Sequence, residues 1–188
     1  MSATIGTGTP ARVATRSRYP ALVRAAHWLT VLAVFAAYLL VEFGGEDKEA
    51  GGPSAALQWH YLAGLLVLLL LLVRLPVLAI GRFPPIQPAP GRFTHLVARI
   101  THLALYAFLL VQPLLGIVQV DLAGDRVTLP VLGWSLPSLV PPDATWHERI
   151  GELHEAIGEI FYWIIGLHVA AALWHHFIVR DNTLRRML

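Results

Sequence analysis

Four stretches of the chain, Ala21 to Phe43, Leu57 to Ile80, Leu96 to Val120 and Leu153 to Val179, are nearly unbroken apolar runs, and polar residues gather between them. About 20 apolar residues cross a hydrocarbon core as a helix. Each run therefore predicts a membrane span, and together they predict an all-α, four-transmembrane-helix bundle. The link Gly44 to Pro53 is short, acidic and glycine-rich. The link Gly81 to Gly91 reads GRFPPIQPAPG and cannot continue a helix, because proline lacks an N–H and clashes with the preceding turn. The third link, Asp121 to Thr145, is longer. It carries Trp134, Leu136, Leu139 and several prolines and is expected to lie in the membrane interface and cap the bundle. Pro113 is expected to kink the third helix. Three parts follow: an N-terminal tail over 1–20 without fixed structure, a transmembrane domain over 21–180, and a short tail over 181–188.

Composition narrows the chemistry. Hydrophobic residues make up 56% of the 188 and charged ones 14%, against roughly 25% charged in soluble domains, so no room is left for a separate soluble catalytic domain. The first run ends Leu40-Val41-Glu42-Phe43 without the small-residue pattern of a cleaved leader. The absence of cysteine excludes disulfides, thiolate-held iron–sulfur clusters, covalently attached c-type haem and Cys-based zinc sites. The net charge of +2 is not concentrated in a basic run, which argues against a nucleic-acid partner.

The basic residues sort by side instead. Arg12, Arg16, Arg18, Arg24, Arg74, Arg82, Arg92, Arg99, Arg180, Arg185 and Arg186, eleven of the fourteen, belong to one side; Lys48, Arg126 and Arg149 fall on the other, among Glu42, Glu46, Asp47, Glu49, Asp121, Asp125, Asp143 and Glu148. Lys and Arg are retained on the cytoplasmic side. Both termini are expected there.

Ionisable side chains inside a membrane helix mark function by default. His154 and His168 are 14 residues apart, which on an ideal helix leaves them about 40° out of line and about 21 Å apart in depth. His27 lies at the start of the first span and His60 near the start of the second, which runs the opposite way. Depth then pairs His27 with His168 and His60 with His154. Two such pairs stacked along a bundle suit two b-type haems, each iron taking one imidazole on each face. Arg74, 14 residues after His60, falls at the depth of the His27/His168 pair, where it suits a haem propionate as well as a snorkelling role. His147 competes with His154, but its 21-residue separation from His168 amounts to about 31 Å, the full hydrocarbon thickness. His95, His102, His175 and His176 cluster toward the cytoplasmic side, with His102, His175 and His176 as candidates for a quinone-site lining or proton relay. Gly64, Gly158 and Gly166 offer flat approaches for a macrocycle or ordinary small-residue helix packing.

These residues also carry a family resemblance. Arg24-Ala25-Ala26-His27-Trp28-Leu29, the Trp59-His60 entry to the second span, the Arg82 to Pro90 link, and Ile165 through His176 followed by Asp181-Asn182-Thr183-Leu184-Arg185-Arg186-Met187 resemble the bacterial cytochrome b561 family from about Tyr19 onward. The resemblance implies a multi-pass protein of the bacterial inner membrane with two non-covalent haem b groups, ligated by His27, His60, His154 and His168. It also implies electron transfer, in the leading case from superoxide at the periplasmic side to ubiquinone, as a superoxide:ubiquinone oxidoreductase. The alternative is a cytochrome b subunit or redox partner of a membrane-bound dehydrogenase or hydrogenase. Besides lipid, the implied partners are a quinone and either superoxide or a redox protein as donor. A haem-free transporter using buried histidines is a third class, but discontinuous helices or midplane carboxylates would be its signature, and Glu159, five residues past His154, is expected off the midplane.

Overall fold

The structure, a computed structural model, describes residues 18–43, 54–81, 83–129 and 133–188. Arg12, Arg16, Lys48, Arg82 and the acidic residues Glu46, Asp47 and Glu49 lie outside the described residues, as does nearly all of the expected N-terminal tail. Four long helices account for most of the rest: α1 (Ala21–Phe43), α2 (Ala55–Ile80), α3 (Arg92–Leu122) and α4 (Ala144–Trp174). Each is long and apolar enough to cross a membrane, and large apolar side chains such as Leu32, Phe35, Leu69, Leu103, Trp163 and Leu167 point outward, as lipid contact requires.

Helix ends are set by local chemistry. The Ser54 side chain accepts a hydrogen bond from the Leu57 N–H at 3.1 Å and starts α2. Asp143 does the same for α4, accepting from Trp146 N–H at 3.0 Å, so this helix begins nine residues before the apolar run that revealed it. Its first nine residues hold Glu148, Arg149 and Glu152, which hide them from a hydropathy reading while a side-chain cap and backbone bonds still favour the helix. α3 runs as one helix through Pro113. α4 passes into a five-residue π-helical turn, His175–Val179, closed by Arg180 in the left-handed conformation at φ 58°.

The chain forms two helical hairpins, α1 with α2 and α3 with α4, joined side by side along α2 and α3, while the backbones of α1 and α4 keep apart among the described residues. The end carrying the first helix start and the chain's last residue is called the terminal end here, and the other the distal end. At the distal end, the α3–α4 connection holds a small antiparallel ribbon, β1 (Thr128–Leu129) with β2 (Trp134–Ser135), pairing Thr128 with Ser135 and Leu129 with Trp134. Val127 is buried against Ile117 and Val120, and Tyr61, Leu65 and Leu136 pack around them. Asp121, 3% exposed, accepts the Leu139 N–H at 2.7 Å. The connection thus caps the distal end.

The terminal end is tied by residues 181–188. Trp28 Nε1 donates to the Met187 carbonyl at 2.9 Å, Arg24 donates to the Leu188 carbonyl, and Arg186 donates to the Tyr19 hydroxyl at 2.7 Å. Asn182 accepts from the Gln87 N–H at 2.8 Å and donates to the Pro85 carbonyl at 3.2 Å. The tail is therefore a brace between α1 and the proline-rich link.

Candidate cofactor site

The seam between α3 and α4 is an antiparallel register that steps by three or four residues over its distal part, on both helices. From the distal end inward it sets Gln119 against Gly151, Gly116 against His154, Gln112 against Gly158, Phe108 against Phe161 and His102 against His168. Steps of three and four residues keep one stripe of each helix facing the other and let the two interdigitate closely. Glycine recurs where the opposing residue is large. A Cβ on Gly116 would stand 3.3 Å from His154 Cε1, and one on Gly151 would stand 2.8 Å from Gln119 Nε2. Gln112 Nε2 donates to the His154 carbonyl at 2.7 Å, which fixes the turn of α4 from which that histidine projects.

Across the slot, α2 presents His60. Its Nδ1 donates to the Ala37 carbonyl of α1 at 2.9 Å, so the neutral ring keeps its lone pair on Nε2. His60 and His154 face each other with ring centroids 6.2 Å apart and planes at 80°. Two imidazoles bound through nitrogen to opposite faces of one metal ion, at about 2.0 Å each, hold their ring centres roughly 6 Å apart. Both rings line a chamber of about 870 Å³ that also borders Gly64, Gly116, Gly158, Gln112 and Tyr38, within the range that holds organic cofactors. A Cβ added to Gly64 would meet nothing within 4 Å. His154 Nδ1 is buried with no partner. The pair, the open volume and the fixed tautomer fit a bis-imidazole haem.

The terminal-end cluster is built differently. Arg74 Nη1 donates to His27 Nδ1 at 3.2 Å, and the Arg74 guanidinium lies 5.6 Å from the Tyr106 ring centre. The ring that meets His168 is His102, at 5.5 Å and 83°, while His27 stands within electrostatic reach of Arg74, His168 and His102. His102 Nδ1 donates to the Ala98 carbonyl at 2.6 Å. On α3, therefore, one α4 histidine faces a glycine and the other an imidazole.

The remaining histidines have separate roles in the fold. His147 Nδ1 donates to the Gln119 carbonyl at 2.9 Å, and His147 also lines the distal chamber. His95 is exposed. His176 packs edge-on against Phe177 at 4.8 Å. His175 Nδ1 donates to the Asp181 carboxylate at 2.5 Å, and Asp181, 2% exposed, also accepts the Thr183 N–H at 2.8 Å. Burial alone would raise the Asp181 carboxyl, but the Thr183 and His175 hydrogen bonds outweigh it and hold it below its ordinary value. Sequence reasoning missed Gly116, Gln112 and Asp181. Gly116 was detectable as two heptads past His102 and Gln112 as one heptad before Gln119, whereas Asp181, though part of the family motif, shows no role until the chain folds back.

A second cavity of about 310 Å³ at the distal end is lined by Gln58, Tyr61, Asp125, Arg126 and Thr128, and Tyr61 also borders the larger chamber. Carboxylates dominate the chamber's own rim, which includes Glu42, Asp125, Glu148, Glu155 and Glu159.

Comparison with known proteins matches this arrangement to a family. A family model described as prokaryotic cytochrome b561 matches residues 18–188. Cytochrome b561 homolog 1 of Escherichia coli (strain K12) is 33% identical over 163 residues, covering 86% of this chain and 92% of the relative. Cytochrome b561 homolog 2 of the same organism is 30% identical over 179 residues, 93% of each chain. A probable superoxide oxidase CybB of Yersinia pestis is 28% identical over 171 residues, 91% of this chain and 96% of the relative.

Proposed function

Because the chain belongs to the prokaryotic cytochrome b561 family, a family of bacterial membrane b-type cytochromes that transfer electrons, we propose that it holds two haems and passes electrons from superoxide to ubiquinone. In the balanced reaction two superoxide anions give up one electron each and leave as dioxygen, and ubiquinone takes both electrons with two protons. The observation that carries the reading is the facing His60/His154 pair above the chamber. Haem, when bound, supplies an iron couple that stores one electron at a time.

The chain's own residues do the rest. His60 and His154 hold the distal group, with the Ala37 carbonyl orienting His60 and Gln112 orienting His154 through its backbone. His27 and His168 hold the second group, and Arg74 is the cation available to its carboxylates. Both termini are cytoplasmic on this reading, which the arginines of the terminal end support. The distal chamber then faces the periplasm. Arg126 in the small cavity beside Tyr61 offers an anionic donor a positive contact at its entrance, and the relative whose name is probable superoxide oxidase supports that donor. On the cytoplasmic side His175, held by Asp181, supplies protons for the quinone, and His102 and His176 are the other candidates for that relay.

The acidic chamber rim favours a second reading, docking of a basic redox protein or dehydrogenase subunit in place of superoxide. Stopped-flow mixing separates the two. Superoxide is expected to reduce the haem-loaded protein rapidly, and Arg126→Gln is expected to slow this several-fold at low salt, with the difference shrinking as salt screens the charge. No haem reduction by superoxide, together with a stable protein complex in mild detergent, supports the docked subunit. Haem extraction gives the ligand test: two haems per chain in the wild type, and one in His60→Ala or His154→Ala.

A further inference from the structure

Between the distal chamber and the terminal-end cluster lie apolar side chains, three of them one heptad from the histidines of their own helices. Phe161 on α4 is seven residues from both His154 and His168, about 10 Å along the axis from each. Its ring stacks on Phe108 of α3, 4.2 Å between centroids and 12° between planes, and Phe108 is 6% exposed. On α2, Val67 is seven residues from both His60 and Arg74 and 4% exposed. Val34 on α1 is seven residues past His27. Val34, Val67 and Phe108 form part of the chamber wall. Where α1 and α4 stand apart, the rings of Tyr38 and Tyr162 meet at 4.2 Å and the Tyr38 O–H donates to the Gly158 carbonyl at 2.8 Å.

All four helices thus contribute to one layer at mid-depth. Away from the Tyr38 hydroxyl and the Gly158 carbonyl, which bond each other, the stacked phenylalanines and valines offer a water molecule none of the two to four polar partners it needs to stay buried, so this part of the layer excludes water. The apolar shell around a redox group sets its solvent access and local dielectric, and through them its potential. We propose that Phe108 and Phe161, with Val34 and Val67, form a partition that keeps the two haem compartments at separate reduction potentials. These are positioning residues that act through the medium around the cofactors. The inference rests on the two-haem reading above.

The test is an optically monitored redox titration of the purified, haem-loaded protein. The wild type is expected to reduce in two resolved waves. Phe161→Ala opens a void joined to the chamber, and admitted water favours the more highly charged oxidised form, so the waves are expected to move to lower potential and closer together with both haems retained. Phe161→Leu and Phe108→Leu, which keep the layer apolar but unstack it, are expected to shift in the same direction by less, and they decide the matter if the alanine variant fails to fold. Phe161→Trp, which refills the layer, is expected to keep the waves apart. Wild-type waves in both leucine variants at full haem content overturn the partition, as does a single wave from a wild type holding two haems. A wild type holding one haem overturns the two-site reading instead.

Discussion

At Gly116 a single missing methyl group leaves room for the His154 ring. An alanine Cβ there would stand 3.3 Å from His154 Cε1, close enough that the ring must give by a few tenths of an ångström. Gly116→Ala is therefore expected to fold with a small shift in the visible spectrum of the distal haem. On the two-haem proposal, Gly116→Leu is expected to push His154 off line and cut bound haem from two per chain to one, measured by extraction. The four histidines proposed as ligands stand out in the sequence because ionisable side chains are costly in a membrane and their spacing sets an expected depth. Their environments do not. That Arg74 donates to His27, and that His102 meets His168 where His154 meets a glycine, depends on the register of separate helices.

Among the elements, α1 and α2 were nearly complete in the hydrophobic pattern, since their ends coincide with the ends of apolar runs. The start of α4 was missed because capping by Asp143 and backbone hydrogen bonding extend a helix into charged sequence. The ribbon of β1 and β2 is two residues per strand, too short for any alternation to register. The α3–α4 seam makes its own prediction. Gly151→Leu drives a side chain into space held by Gln119, and such overpacking costs about 1–3 kcal/mol, so a lower Tm of the loaded protein is expected. The turn after α4 makes another. Asp181 gains a lowered pKa on folding, so its contribution is complete above the ordinary carboxylate value of about 4 and fades as pH falls through the lower folded value. Asp181→Asn is expected to cost about 1–3 kcal/mol near neutral pH, the usual range for a hydrogen bond to a charged group. In thermal melts the gap between variant and wild type is expected to close below about pH 4.

For the molecule as a whole, the two hairpins make the slot a joint between halves. His60 belongs to one hairpin and His154 to the other, as do His27 and His168. The halves are otherwise joined along α2 and α3 and by local braces such as Tyr38 on Gly158 and Trp28 on Met187. A group ligated from both sides adds its binding free energy to their association, so protein made under haem limitation is expected to be cut by protease faster than loaded protein, first in the proline-rich link. Biogenesis acquires an order from this. If the proposed ligands hold it, the prosthetic group can arrive last, after each hairpin has entered the bilayer as a self-contained pair, and haem supply is then expected to set how many molecules survive quality control as well as how many are active.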